Sequence, residues 1–314
     1  MALETQDNAA AGWTTFNDDQ DNAASGWTTF NDDQENRHAD DTAELSPSAL
    51  LLRRLEEAPD SIVAELLDDG EDLIQEFRSG NACLVQRLCM PESLRILVQH
   101  IIWEPEEGVS PERARRRSHT AAELLVTCQS NGRSGLGGDD DDSVGARLAD
   151  AFFAPLSIPA AGDSSASSSG SAWDLLWTLL LADEGSSGSA AWHVLAGYFC
   201  STVSALWSRR RAEVAACLRA RGPPQVLKSF LRLLDVRCIA ELLVSLLCVE
   251  VPEQLVFPMD GLLQELLEGT EAVDNLAFVI NSFLAQACHG RLFDGALVVQ
   301  QISSPEVLVA LMDQ

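Results

Sequence analysis

The stretch Val236 to Val249 is apolar around most of a helical circumference. Ile239, Leu242, Leu243, Leu246, Leu247 and Val249 leave only Arg237, Glu241, Ser245 and Glu250 as a thin polar strip. One neighbouring helix cannot cover a stripe that wide, so such a helix needs cover on two sides. An inner layer within stacked helical pairs provides it, and this favours an alpha-solenoid over a simple bundle.

The chain from Leu45 onward is helical text throughout. Starts are marked by a capping residue followed by Pro, as in Ser46-Pro47, Ser110-Pro111-Glu112 and Ser304-Pro305-Glu306, with Met90-Pro91-Glu92 a weaker case. Breaks of a few residues fall at Gly70, Gly80, Gly222-Pro223, Val251-Pro252 and Gly269. Between them the periodicity predicts helices over Ser48–Glu57, Ser61–Leu67, Glu71–Arg78, Ala82–Leu88, Pro91–Ile102, Pro111–Cys128 and Ser143–Phe153. Further helices are predicted over Ala172–Ala182, Ala190–Ser208, Ala212–Arg221, Pro224–Leu234, Val236–Val249, Gly261–Glu268, Ala272–Ala287 and Ser304–Asp313. No helix is assigned between Ala287 and Ser304. The expected fold is all-α, an alpha-solenoid of armadillo- or HEAT-like helical repeats over residues 45–314, although the period does not let the repeats be counted. Gln129 to Asp142, Ala160 to Ser171 and Asp183 to Ser189 are Ser-, Gly- and Asp-rich and read as mobile loops.

Residues 1–44 are of another kind. Eleven acids face one base, Arg37, and a fourteen-residue segment occurs twice: DNAAAGWTTFNDDQ from Asp7 and DNAASGWTTFNDDQ from Asp21. Two copies cannot build a solenoid. Low hydrophobicity and high charge predict a disordered acidic tail, in which Trp13, Phe16, Trp27 and Phe30 form two W-x-x-F linear motifs.

The whole chain carries a net charge of −27, which argues against nucleic acid or an anionic membrane as the main partner. Met1 to Asn8 lacks the apolar core of a signal peptide. Ala190 to Trp207 is uncharged, but His193, Gly197, Ser201, Ser204 and Ser208 recur at helical spacing opposite Trp192, Leu195, Ala196, Phe199, Val203 and Leu206. The segment therefore reads as a buried helix of the core and not as a membrane span. Eight cysteines without C-x-x-C spacing read as small buried thiols in a reducing, cytoplasmic setting.

Chemistry is hard to find. His38, His100, His119, His193 and His289 are scattered singly, without metal-ligand spacing. Gly132 to Gly138 fits neither phosphate-loop pattern, and the Asp139–Asp142 run that follows would repel a polyphosphate. The same run lacks the ligands of an EF-hand at Val144 and Ala151. No catalytic residue, metal or cofactor is expected. Two basic clusters stand out, Arg113 with Arg115, Arg116 and Arg117, and Arg209, Arg210 and Arg211. The second is the candidate partner-binding site, placed where it would also compensate a helix C-terminus, and either cluster would serve as a nuclear-import signal.

Several segments resemble, in order, the SAPS family of phosphatase-associated regulatory subunits of protein phosphatase 6. Leu66 to Leu84 (LLDDGEDLIQEFRSGNACL) is similar to the family's acidic opening, and Leu88 to Ile101 (LCMPESLRILVQHI) to its next helix. His119 to Cys128 (HTAAELLVTC) resembles the N-T-A-C-E-L-L-T-C segment, the most distinctive of them. Leu136 to Asp139 (LGGD) with Leu148 to Phe153, then Leu195 to Leu218, and Ile239 to Glu250 (IAELLVSLLCVE) resemble later stretches. The acidic duplication stands where family members carry a short Trp-Lys-Phe-type segment, and the family's long C-terminal half does not occur among these 314 residues.

The resemblance implies a non-catalytic solenoid scaffold that binds a phosphatase 6-type Ser/Thr phosphatase catalytic subunit, with ankyrin-repeat regulatory subunits as further partners. It assigns no contact residues. The competing expectation is a trafficking adaptor acting through the two W-x-x-F motifs.

Overall fold

A computed structural model describes residues 53–54, 63–102, 108–127, 144–155, 170–181, 190–268 and 273–303, all within the compact unit Leu45–Gln314. The expectations for the acidic tail and for Trp13, Phe16, Trp27 and Phe30 lie outside the described residues. So do the loops at 129–142 and 183–189, and the helix from Ser304.

Fourteen helices are found among the described residues, together with a single antiparallel bridge between Pro155 and Ser171. They are α1 Val63–Leu66, running into a 3₁₀ turn Leu67–Asp69, α2 Glu71–Arg78, α3 Ala82–Leu88, α4 Pro91–Ile102, α5 Pro111–Val126, α6 Val144–Phe153 and α7 Ala172–Leu181. The rest are α8 Ala190–Arg209, α9 Arg211–Ala220, α10 Pro223–Arg232, α11 Arg237–Leu247, α12 Leu262–Glu268, α13 Val273–Cys288 and α14 Gly295–Ile302.

Local chemistry explains the ends. Ser110 caps α5 by accepting the Arg113 N–H at 3.3 Å, with Pro111 in the first turn, and Asn81 does the same for the Leu84 N–H of α3. Gly222, at φ 90°, turns the chain between α9 and α10, where a side chain would be strained.

Two sequence expectations need correction. Ser171 is not part of a mobile loop. Its hydroxyl accepts the Asp174 N–H at 3.2 Å, while the Asp174 carboxylate accepts from the Ser171 N–H at 2.8 Å, a reciprocal capping box that starts α7. Helix α14 lies in the region assigned no helix. The Asp294-Gly295 step begins it, with Asp294 at φ 56° and its carbonyl accepting the Leu297 N–H at 2.9 Å.

The helices pack in a regular order. In one row α4 lies on α7 and α7 on α10; in another α5 lies on α8, α8 on α11 and α11 on α13; α3 also packs on α6. These helices thus meet their counterparts three helices on, and in the last step the 3₁₀ turn Pro252–Gln254, packed on α9, stands in for a helix. This order is solenoid-like, because successive groups bury each other's faces through nearest-neighbour contacts.

Helix α8 carries the packing of the middle group. Ala196, Phe199, Val203 and Leu206 are fully buried, whereas His193, Ser201 and Ser208 are exposed, as the polar stripe predicts. No helix among the described residues is long and apolar enough to cross a membrane. Helix α11 follows its pattern equally closely: Ile239, Leu243 and Leu246 are fully buried and Arg237, Glu241 and Ser245 face out. Each fully buried Leu or Ile contributes roughly 1.5–3 kcal/mol, so both helices add substantially to the apolar core.

An aromatic ladder joins the groups. Phe153 meets Trp173 at 5.8 Å between ring centroids, Trp173 meets Trp177 at 5.5 Å, and Trp177 meets both Phe199 and Phe230 at 5.9 Å, linking α6, α7, α8 and α10. Polar ties reinforce it. The Arg232 guanidinium donates to the Leu180 carbonyl at 2.6 Å, Arg219 donates to the Glu253 and Leu255 carbonyls, and Asn275 donates to the Leu234 and Asp235 carbonyls.

Candidate partner-binding surface

The cluster Arg209–Arg211 straddles a break in the helix. Arg209 ends α8, Arg210 leaves helical geometry at φ −128° and ψ 52°, and Arg211 opens α9. The sequence reading has all three arginines compensating one helix C-terminus. The break leaves that role to Arg209 alone, because Arg211 sits at the opposite, positive end of the next helix. Arg210 is turned to a structural use, its guanidinium 2.5 Å from the Asp150 carboxylate of α6. Arg209 is half-buried and Arg211 is exposed.

The other cluster is organised around one carboxylate. Asp68, in the 3₁₀ turn after α1, accepts from Arg113 Nε and Nη2 at 3.0 and 2.6 Å and from Arg117 Nε and Nη2 at 2.8 and 2.7 Å. Four charge-assisted bonds converge on one side chain. The Arg117 hydrogen bonds hold the Asp68 carboxyl far below the usual carboxylate range, with Arg113 adding to the effect. Arg115 donates to its own helix at the Pro111 carbonyl, and Arg116 makes a long contact to Glu112 at 3.5 Å. Ser110, Glu112, Arg113 and Arg116 with Asp68 line a depression of about 330 Å³ of mixed charge.

A third set of residues was not singled out as a site by sequence reasoning, because it depends on how helices meet. Across the row α5, α8, α11 and α13, polar and aromatic side chains follow one another. Arg78 of α2 reaches Glu123 at 3.2 Å, and His119 stacks at 6.5 Å on Tyr198, the chain's one tyrosine. Burial, and then the Glu123 charge, push the Tyr198 hydroxyl above its usual range. Arg237 pairs with Glu241 at 3.0 Å and lies 3.5 Å over the Phe278 ring of α13. The available signal was the polar strip on α11; its partner Phe278 lies on another helix.

The cysteines differ from expectation. Cys200 is buried, but Cys89, Cys217, Cys238 and Cys248 are half-buried, and Cys83 and Cys288 are exposed. In α3 the buried residues Leu84, Val85 and Leu88 define one face and turn Cys83 away from it. Cys288 is the last residue of α13, where the helix has run past its cover.

These arrangements place paired charges and aromatic faces along a helical row. No family model matches the chain, and no curated protein or solved structure matches it.

Proposed function

We propose that the chain is a non-catalytic regulatory scaffold that binds a phosphatase 6-type Ser/Thr phosphatase catalytic subunit and steers its activity or its choice of substrate. The supporting observation is the coincidence of two patterns. The SAPS-like segments Leu88–Ile101, His119–Cys128, Leu195–Leu218 and Ile239–Glu250 fall on α4, α5, α8 with α9, and α11, of which α4, α5, α8 and α11 are helices of the stacked rows. In this reading the groups of three helices are armadillo- or HEAT-like repeats, and the partner lies along the row α5, α8, α11 and α13. The acidic tail is disordered, ankyrin-repeat subunits complete the assembly, and the complex works in the cytoplasm with nuclear import through an arginine cluster.

Arg209, Arg210 and Arg211 belong to this proposal as docking residues. Arg211 is the informative position, because Arg210 is already paired to Asp150. With purified catalytic subunit, Arg211→Glu weakens binding roughly tenfold, and added salt weakens wild-type binding in the same direction. Deleting residues 1–44 leaves this affinity unchanged. If the intact chain fails to bind the catalytic subunit, the proposal is wrong.

A second reading rests on the duplicated W-x-x-F motifs. Loss of partner capture on replacing Trp13, Phe16, Trp27 and Phe30 by Ala, with capture of adaptor ear domains by the intact chain, would favour a trafficking adaptor.

A further inference from the structure

The chain has three Ser-Pro steps, at Ser46, Ser110 and Ser304, and Ser110 alone is followed by a base three residues on, Arg113 where the others have Ala49 and Val307. Ser110 is also the one that falls among the described residues. From Ser110 to Arg113 every residue is exposed, and Ser110 itself has extended backbone, at φ −62° and ψ 141°, immediately before α5. A serine followed by Pro and then by a base at the third position is the pattern that proline-directed protein kinases accept, and they bind it as an exposed, extended segment. The neighbouring stretch Arg115-Arg116-Arg117-Ser118 offers a serine after a basic run, but Ser118 is half-buried in the middle of α5. We infer that Ser110 is a phosphorylation site for a proline-directed kinase, and that its phosphate draws Arg113 away from Asp68.

The surroundings give the modification a consequence. Ser110 lines the same depression as Asp68, Glu112, Arg113 and Arg116, where two carboxylates balance two guanidinium groups. In the transfer, the Ser110 hydroxyl oxygen attacks the γ-phosphorus of ATP. An oxygen–phosphorus bond forms, the bond from that phosphorus to the bridging oxygen of ADP breaks, and the hydroxyl proton passes to the kinase's base. One serine and one ATP give one phosphoserine, one ADP and one proton. The phosphoserine carries a charge of about −1.5 to −2 at pH 7 and presents three acceptor oxygens.

The arginines are not equally free to answer that charge. The Arg113 N–H already donates to Ser110 Oγ at 3.3 Å, and its exposed side chain reaches Asp68 from the solvent side. Arg116 has only a long contact, 3.5 Å, to Glu112, whose own carboxylate is 85% exposed and therefore a screened neighbour. Arg117 is mostly buried and keeps both of its bonds to Asp68. A phosphate close to two charges outcompetes a single carboxylate for an exposed guanidinium fork. The clamp between α5 and the turn after α1 thus passes from two arginines to one, and the depression becomes anionic. None of this rests on the identity of a bound phosphatase.

The test uses the full, folded chain. It is incubated with a cyclin-dependent kinase and magnesium ATP, and phosphorylated positions are mapped by mass spectrometry. Phosphate is expected on Ser110 and is absent from that peptide in Ser110→Ala. Folded wild type without phosphate on Ser110 would overturn the inference, whether or not the variant folds. The exchange of Arg113 is read by phosphorus NMR. The second phosphate pKa, about 6 for phosphoserine, is expected to be lower in the folded phosphoprotein than in the same chain in urea. It should move back up in Arg113→Ala with phosphoserine incorporated genetically at position 110. Equal values in folded wild type and folded Arg113→Ala would overturn the exchange, and so would a folded wild-type value no lower than that in urea.

Discussion

Arg113, Arg115, Arg116 and Arg117 occupy the first two turns of α5, while Arg209, Arg210 and Arg211 occupy the junction of α8 and α9, and the two clusters are held in opposite ways. The start of a helix is the unfavourable end for cations. The first cluster therefore depends on an anion brought from elsewhere in the chain, and Asp68 supplies it through four N–H donors. The second cluster is divided by a break in the helix, so its charges have different surroundings, and Arg210 is paired with Asp150. Similar runs of arginine in a sequence thus yield a half-buried clamp in one place and a divided surface in the other.

The largest effect expected from this comparison is that of Asp68→Ala. Arg117 has a side chain only 12% exposed and would lose its counter-ion, whereas Asp68 itself is 23% exposed and Arg113 53%. Allowing for that solvent screening, the loss of stability is about 2 kcal/mol, measured by urea unfolding. Arg117→Ala should cost more than Arg113→Ala; the reverse order would show that the outer arginine holds the clamp.

Acid addresses the same clamp without mutation. The Asp68 pKa is depressed in the folded chain, so its contribution is fully present above the unfolded carboxylate value of about 4. It is lost as the pH falls below that value and through the lower folded one. Between about pH 5 and pH 2 the wild type should lose stability more steeply than Asp68→Asn, and parallel curves would count against the clamp.

A smaller effect is expected at the other cluster. Arg210→Ala should cost about 0.5–1 kcal/mol, since Asp150 is 59% exposed and the pair is partly screened. Smallest of all is Arg211→Ala, expected to stay within about 0.5 kcal/mol of wild type in the same assay. A larger loss would mean that Arg211 supports the α8–α9 junction and is not free to dock a partner.

The same contrast separates what was legible in the sequence from what was not. Helices α2, α3 and α4 have the predicted limits, because capping residues, Pro and Gly act within a turn of the residues they delimit. The buried and exposed faces of α8 and α11 were legible for the same local reason. Helix α14 was not, since GALVVQQI is rich in β-branched and apolar residues and begins on a step that also marks turns. Nor was Asp68 distinguishable from its neighbour Asp69, as its partners lie 45 and 49 residues further along the chain. The Arg237–Phe278 contact depends likewise on the order in which helices stack. Pattern in one segment specifies a face; only packing specifies what meets it.

The aromatic ladder gives the protein an optical signature of its own. Trp173 and Trp177, with centroids 5.5 Å apart and planes inclined by 30°, are close enough for their electronic transitions to mix, and both are almost completely shielded from water. The two rings lie one turn apart on α7, and their near-ultraviolet circular dichroism is sensitive to the rings packed on them, Phe153 of α6, Phe199 of α8 and Phe230 of α10. A partner that shifts one group of helices against the next would alter that band while the far-ultraviolet helix signal stayed constant, so that sliding between groups and melting within them can be told apart in a single sample.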